Sequence, residues 1–247
     1  MLPTPQARRA ALLAALVAAG GACFRGTLPP RELYRLRPPA GAASPAAADG
    51  SRTFSAAALE GGSPVLAVPL VVDAYATPGV YAEPQIVYRV GETRYGTYPT
   101  REWALPLGAM LAALTAEALR AEPATGGRVQ EGAGPGAARG LVWRGSVREF
   151  EEVDRGALVF AAVRLEAQLV RAADDSVLWQ GATRIERPVT PPRAIAAVVD
   201  SLSALSAAAV AGMVREAAPA LRAAAAAQAG AQAAAGRARP GEARAPR

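Results

Sequence analysis

The most regular hydrophobic pattern in the chain lies in its second half. Between residues 157 and 170 apolar residues occupy every other position, and charged or amide side chains fill the alternate positions of the later part. This period of two predicts a long β-strand with one solvent-facing side. The stretches LVWRGSVREF (141–150) and SVLWQGATRI (176–185) alternate in the same way, so we expect three neighbouring strands.

Shorter patterns in the first half predict further strands. ELYRLRPP (32–39) is interpreted as a brief strand that ends at its prolines, and SPVLAVPLVVDAYA (63–76) as a buried strand. Residues 86–90 and 93–98 flank a Gly91-Glu92 turn, which predicts a hairpin.

Two helices are predicted from apolar residues spaced three and four positions apart. The first covers residues 100–122, where Thr100 can cap the N-terminus and Pro106 falls near the tolerant first turn. The second covers residues 191–217. The glycine-rich stretch 123–140 is predicted to be a loop.

These elements predict an α/β fold in a single domain, with two helices packed on a mixed, largely antiparallel sheet. The expected order is strand-strand-strand-helix-strand-strand-strand-helix within residues 34–218. Residues 40–50 have the composition of a linker. Residues 219–247 are rich in Ala, Gly and Arg, and we expect a disordered tail there, although its alanine run could prolong the helix.

The N-terminus has the layout of a bacterial lipoprotein signal. A short positive segment precedes the apolar run AALLAALVAA (10–19), which is too short for a bilayer that needs about 20 residues. Small residues and then Cys23, the only cysteine, follow this run. We predict that residues 1–22 are removed, that Cys23 carries the lipid, and that residues 23–33 form a tether. An ordinary secretory signal with a fortuitous cysteine is the alternative.

The composition excludes much of enzyme chemistry. The chain has no His and one Cys, so it cannot form a Ser-His-Asp or Cys-His catalytic site. For the same reason it cannot form a helical HExxH zinc site. All 27 basic residues are Arg, so no lysine is present for a Schiff base or a Walker A loop. The net charge of +6 comes from the two ends of the chain, and no basic face typical of nucleic-acid binding is visible between them. We therefore expect no enzyme activity, cofactor, metal site or nucleic-acid partner.

Four segments carry a resemblance to a known family: YRLRP (34–38), VLAVPLVV (65–72), PQIVYRVGETRYGTYPTREWALPLGAM (84–110) and LVWRGSVREFEE (141–152). Together with the lipoprotein cysteine, they resemble the ABC-type transport auxiliary lipoprotein family, the PqiC-like lipoproteins associated with MCE transport systems. The most specific part is the strand 86–89, its return strand, and Trp103-Ala104.

The resemblance implies a role beside an ABC transporter whose periplasmic subunit is an MCE-domain protein. Such systems move phospholipid or other hydrophobic molecules between the inner and outer membranes. The lipoprotein would be the non-catalytic component, anchored by acyl chains on the periplasmic face of the outer membrane of a Gram-negative bacterium, where it docks the MCE protein with its permease and ATPase. Phe24 follows Cys23 in place of aspartate, which also favours the outer membrane. Some relatives form rings, so homo-oligomerisation stays open.

Arg89, Arg101 and Trp103 are the candidate partner contacts. We expect Trp103 to lie mainly in the core, with a partner or lipid contact as the alternative. Arg89 and Arg101 are expected on the solvated surface, with bridges to carboxylates or lipid phosphate as the alternative. The acidic cluster FEEVD (150–154) is interpreted as a solvated strand end, because neighbours on a strand point to opposite faces and cannot act as a catalytic pair.

Two other functions fit the sequence. One is a periplasmic lipoprotein that binds a hydrophobic ligand inside the domain, and the other is an outer-membrane assembly lipoprotein that plugs a β-barrel partner. An interior cavity would favour ligand binding. A packed core with an exposed apolar patch would favour docking.

Overall fold

The computed structural model describes residues 30–37, 64–132 and 140–237. Contacts divide the chain into two units, Met1–Glu32 and Leu33–Arg247, and the fold belongs to the second. The predicted signal peptide, Cys23 and the 40–50 linker lie outside the described residues, as does the chain after residue 237.

Within the described ranges the elements follow the order β1 (Glu32–Tyr34), β2 (Leu70–Val72), β3 (Gln85–Val90), β4 (Arg94–Trp103), α1 (Leu107–Arg120), β5 (Val129–Glu131), β6 (Leu141–Arg155), β7 (Leu158–Arg171), β8 (Ser176–Pro188) and α2 (Ile195–Arg237). The predicted α/β class is confirmed, with two helices on a mixed, largely antiparallel sheet. The first run has the four strands that the separate patterns predicted, one more than the expected order counted, and the second run also has four. In the second run the additional strand is β5, which lies in the stretch predicted to be a loop. The strand predicted over 63–76 is limited to β2.

The long strand β6 organises the sheet. β7 pairs with it antiparallel along its whole length, and β8 continues the sheet beyond β7. On its other side β6 pairs in parallel with two different strands. β2 lies beside its first residues, with Leu70 opposite Leu141, and β3 lies beside its last, with Tyr88 opposite Glu152. This arrangement brings the β3–β4 hairpin against the acidic end of β6.

Both helices cover one face of this sheet. α1 contacts β2, β5 and β6, α2 contacts β7 and β8, and the two helices contact each other. The core between helices and sheet includes fully buried large side chains such as Trp143, Phe150, Leu165, Leu202 and Leu205. The opposite face of β6–β8 is polar, as the alternation predicted, and ion pairs such as Arg148–Glu166 at 2.8 Å cross it.

The first helix starts later than predicted. Strand β4 continues to Trp103 and α1 begins at Leu107, so Thr100 does not cap the helix. The N–H of Trp103 donates to the carbonyl of Pro84 at 2.7 Å, which keeps these residues in the hairpin. Pro106, with a φ of −52° and a ψ of 132°, is the residue that precedes the first helical turn.

The second helix is longer than predicted. It covers 43 residues and ends at Arg237, so as far as residue 237 the alternative of a helix prolonged by the alanine run replaces the expected disordered tail. Pro219 lies inside the helix, where it removes one backbone N–H. Beyond it, Leu221 and Ala225 are both 0% exposed. Their burial stabilises the helix past the proline and outweighs the local break.

Candidate functional site

The predicted contact residues lie near one another where the β3–β4 hairpin meets the end of β6. Arg89 belongs to β3, and Arg101 and Trp103 belong to β4. Glu151 and Glu152 of β6 point to opposite faces of the sheet here, as neighbours on a strand do. Each face therefore has one carboxylate with its own partners.

Glu151 is the centre of a buried ion pair. Nε of Arg89 donates to Oε1 of Glu151 at 2.5 Å, and the hydroxyl of Tyr81 donates to Oε2. Nη1 of Arg89 also donates to the carbonyl of Gly91 at 2.9 Å. The Glu151 side chain is 0% exposed and that of Arg89 is 7% exposed. The expectation that both positions are solvated is therefore wrong, and for Arg89 the alternative of a bridge to a carboxylate is what the structure shows.

The electrostatics of this cluster keep its protons in place. The hydrogen bond to Glu151 raises the pKa of the Arg89 guanidinium. Burial, and then the Glu151 carboxylate, raise the pKa of the Tyr81 hydroxyl well above its ordinary value, so Tyr81 stays protonated and donates.

The opposite face holds Glu152 among aromatic side chains. The Tyr98 hydroxyl donates to Oε2 of Glu152 at 2.8 Å, and burial raises the pKa of the Glu152 carboxyl. The rings of Tyr98 and Tyr88 are tilted, with centroids 5.1 Å apart. The guanidinium of Arg101, which is half-buried, lies 5.1 Å from the Tyr98 ring centroid in a cation–π contact.

Trp103 belongs to the core. Its side chain is 6% exposed, and its ring meets Phe150 edge-to-face at 5.6 Å. The expected core position of Trp103 is confirmed. Contact of Arg89, Arg101 or Trp103 with a partner protein stays a prediction. Arg89 and Trp103 are buried and expose little surface to a partner.

The cluster is built to hold strands together rather than to react. A general acid or base must come within hydrogen-bond distance of a substrate, whereas both oxygens of Glu151 are occupied and shielded from solvent. Within the described ranges no group of three or more Cys, Asp or Glu side chains could hold a metal ion. The ion pair joins β3 to β6, and this fixes the hairpin on the sheet.

Four clefts in the described part of the chain all open to solvent. The largest of these four, about 550 Å³, is a depression on the polar face of β6–β8. Two others flank residues 33–37, one of about 460 Å³ beside α2 and one of about 360 Å³ beside α1. The fourth, about 300 Å³, is lined by Tyr81, Pro84 and Trp103.

One helix among the described residues, Ile195–Ala235, is long and apolar enough to cross a membrane by length and composition. Its apolar residues Val198, Leu202 and Leu205 are buried against the sheet. Of its most apolar stretch, 44% is buried within the described structure, so the core accounts for part of the hydrophobicity of this helix.

A family model described as ABC-type transport auxiliary lipoprotein component matches residues 34–214. The chain belongs to this family. The match includes both strands of the hairpin, α1 and all of β6–β8, so the resemblance inferred from the sequence is confirmed. Members of the family are auxiliary lipoproteins of ABC-type transport rather than a known class of enzyme.

Solved structures of other proteins have the same fold. A Xanthomonas campestris protein of the DUF330 family model has a TM-score of 0.52 and 19% identity, over 62% of this chain and 83% of its own. An uncharacterized protein has a TM-score of 0.51 and 19% identity, over 63% of this chain and 95% of its own. A PelC dodecamer from Paraburkholderia phytofirmans reaches a TM-score of only 0.38, with 17% identity over 65% and 92% of the two chains, and this is too low to bear on assembly. No curated protein matches the chain.

Sequence reasoning missed the partnership of Tyr81, Arg89 and Glu151. β3 offers a weak signal, because Arg89 lies between Tyr88 and Val90 in a largely apolar strand, whereas the end of β6, FEEVDR, is mostly charged and resembles a solvated strand end. A charged residue within an apolar strand indicates a buried pair, but the sequence does not identify its partner. Nothing in the local pattern around Tyr81 identified it as the third partner.

Proposed function

We propose that this family member is the non-catalytic docking component of an ABC/MCE-type transport system, anchored in the outer membrane. The observation that carries this proposal is the close burial of large side chains between the sheet and the helices in the described part of the chain. Trp143, Phe150 and Leu202 are each at most 2% exposed between sheet and helices, and the four clefts described above are surface depressions. A protein that carries a lipid tail needs an enclosed apolar cavity, whereas a docking module needs a rigid core.

The anchor in this proposal is Cys23. In this proposal residues 1–22 are removed, the Cys23 thiol carries diacylglycerol, and the new N-terminus carries a further acyl chain. Two or more acyl chains give stable membrane attachment, because each buried CH₂ contributes about 0.8 kcal/mol. Phe24 in the following position favours the outer membrane over the inner one.

The partners in this proposal are an MCE-domain protein and, through it, the permease and ATPase of the transporter. The family match supports association with an ABC-type system. The transported molecule in this proposal is phospholipid or another hydrophobic compound, which passes through the partner and not through this chain. Oligomerisation of the chain would multiply the docking surfaces around one partner assembly.

Affinity isolation from envelope membranes tests the proposal. The full lipidated chain, tagged after residue 247, would be extracted in mild detergent, and bound proteins and lipids identified by mass spectrometry. The matched control is Cys23→Ser, which lacks the anchoring thiol. We expect an MCE-domain protein with its permease from the lipidated chain, and loss of the outer-membrane fraction for the control.

Other outcomes would contradict the proposal. Recovery of only a β-barrel protein would support the assembly-plug alternative. Recovery of stoichiometric lipid without any protein partner would make the chain a carrier.

A further inference from the structure

Residues 33–37 form an extended segment on the helical side of the domain. The carbonyl of Tyr34 accepts the N–H of Ala104 at 2.7 Å, and the N–H of Arg37 donates to the hydroxyl of Ser203 on α2 at 3.2 Å. Tyr34 and Leu36 are partly buried and pack against the core. The odd-numbered positions point outward, which leaves Leu33 64% exposed.

Leu105 adds a second exposed leucine beside this segment. It follows the residue that bonds to Tyr34, it is 51% exposed, and it lines the same 360 Å³ cleft as Arg35 and Arg37. Leu33 lines the 460 Å³ cleft on the other side of the segment, which the same two arginines also line. We call Leu33, Arg35, Arg37 and Leu105, which lie along the segment and its two flanking clefts, the leucine–arginine patch. It combines apolar side chains that gain from leaving water with cations that remain in water.

The two arginines of the patch differ from those on the sheet. On the polar face of β6–β8, Arg148 pairs with Glu166 and Arg184 with Glu149, each at 2.8 Å. Within the described residues no ion pair reaches Arg35 or Arg37.

Carboxylates do lie farther along the same clefts. Asp200 lines the cleft beside α2, and Glu117 and Glu131 line the cleft beside α1. Glu131 is already paired with Arg120 at 3.1 Å. The outer rim of the patch, formed by Arg35 and Arg37, is thus positive and without an ion-pair partner among the residues that the structure describes.

The position of the patch in the chain relates it to the membrane. Cys23 precedes Leu33 by ten residues. Ten residues span at most about 35 Å when fully extended. This inference rests on the proposed function, in which Cys23 carries the anchor. The patch then starts where the tether ends, and Leu33 stays within that reach of the lipid-bound residue.

We propose that the leucine–arginine patch is a membrane-contact surface for the bilayer that holds the anchor. Leu33 and Leu105 enter the boundary between headgroups and acyl chains, and Arg35 and Arg37 donate hydrogen bonds to phosphates of anionic phospholipids. This second contact fixes the orientation of the domain, which acyl chains on a tether alone leave free. The polar face of β6–β8, which lies opposite the helices, then faces away from the patch, toward the periplasm.

Depth-dependent fluorescence quenching tests the proposal. The full lipidated chain is placed in vesicles of phosphatidylethanolamine and phosphatidylglycerol. Because Cys23 is the only native cysteine and its thiol is acylated, an introduced cysteine is the single labelling site. An environment-sensitive dye is attached in Leu33→Cys and Leu105→Cys. The matched controls are Leu158→Cys and Val177→Cys, at positions 59% and 50% exposed in the native chain.

We expect blue-shifted emission and several-fold more quenching by nitroxide-labelled lipid at positions 33 and 105 than at the two control positions. Arg35→Glu with Arg37→Glu should lower the quenching at position 33, as should raised salt. Arg94→Glu with Arg187→Glu changes net charge equally at two other exposed positions and should leave it unchanged.

Three results would overturn the proposal. Equal quenching at all four positions would mean that no face is preferred. A blue shift already present in detergent would mean that this chain or a second copy covers the patch. Shielding that appears only when the transport partner is added would assign the patch to that protein. Absence of acyl chains from the intact mass would instead refute the anchor itself, and the proposed function would fail together with this inference.

Discussion

The buried ion pair between Arg89 and Glu151 makes a specific stability prediction. Arg89→Met would leave the Glu151 carboxylate, 0% exposed, with the Tyr81 hydroxyl as its remaining hydrogen-bond donor among those described. Removing one partner of a buried pair costs about 3–5 kcal/mol, because the other charge stays in a medium that cannot solvate it. A domain of this size has a free energy of unfolding of about 5–15 kcal/mol, so the loss would be a large fraction of the total.

A double-mutant cycle measures the coupling directly. Glu151→Gln keeps an acceptor for Tyr81 and leaves Arg89 near the Gly91 carbonyl, so we expect a smaller loss of about 1.5–3 kcal/mol. The double variant Arg89→Met/Glu151→Gln has no unpaired charge. Its loss in free energy of unfolding should therefore be smaller than the sum of the two single losses by about 1–3 kcal/mol.

Urea unfolding followed by circular dichroism gives each free energy by linear extrapolation. The matched control is Arg148→Met, which removes one partner of a pair at 2.8 Å whose side chains are 49% and 34% exposed. That exposed pair should contribute no more than about 1 kcal/mol. The reasoning is refuted if Arg89→Met loses as little as the control, or if the two single losses add.

Four further variants test the packing and the electrostatics by urea unfolding. A Cβ at Gly108 would meet the backbone carbonyl of Tyr75, so Gly108→Ala should lower the free energy of unfolding by about 1–3 kcal/mol. A Cβ at Gly230 on α2 meets nothing within 4 Å, so Gly230→Ala should raise it by up to about 1 kcal/mol. Equal effects of the two variants would contradict this. Leu221→Ala should lose about 2–5 kcal/mol, and a loss near zero would mean that α2 does not pack beyond Pro219. The raised pKa of Glu152 means that the folded chain binds the proton of this carboxyl more tightly than the unfolded chain does. The free energy of unfolding should therefore fall as pH rises from the ordinary pKa of 4.5 through the raised pKa. Glu152→Gln should flatten this slope, and an unchanged slope would assign it to other groups.

The long elements could be predicted because their patterns are regular. In β7, Leu165 and Leu169 are buried while Arg164 and Gln168 are exposed, as the period of two requires. The ends of the helices could not be predicted in the same way. Trp103 remains in a strand because the hairpin extends to it, and the helix continues past Pro219 because of buried contacts with distant residues. Both depend on tertiary packing, which local propensity does not contain.

The candidate site was predicted only in part. The sequence singled out Arg89 and the acidic cluster, yet assigned both to solvent because charged residues are seldom buried. Their pairing depends on the parallel register of β3 with β6, and strands separated by a helix and a loop carry no sequence signal for register. The family resemblance was carried by contiguous segments, and it was confirmed over residues 34–214.

The central claim is that the chain docks a transport partner and does not itself carry the lipid. Native mass spectrometry of the purified full-length lipidated chain, mixed with the MCE-domain protein obtained by affinity isolation, tests this most directly. The account predicts a complex of the two proteins in which this chain has the mass of its residues and acyl groups alone. A chain that retains a bound phospholipid and forms no complex with the MCE-domain protein would contradict it.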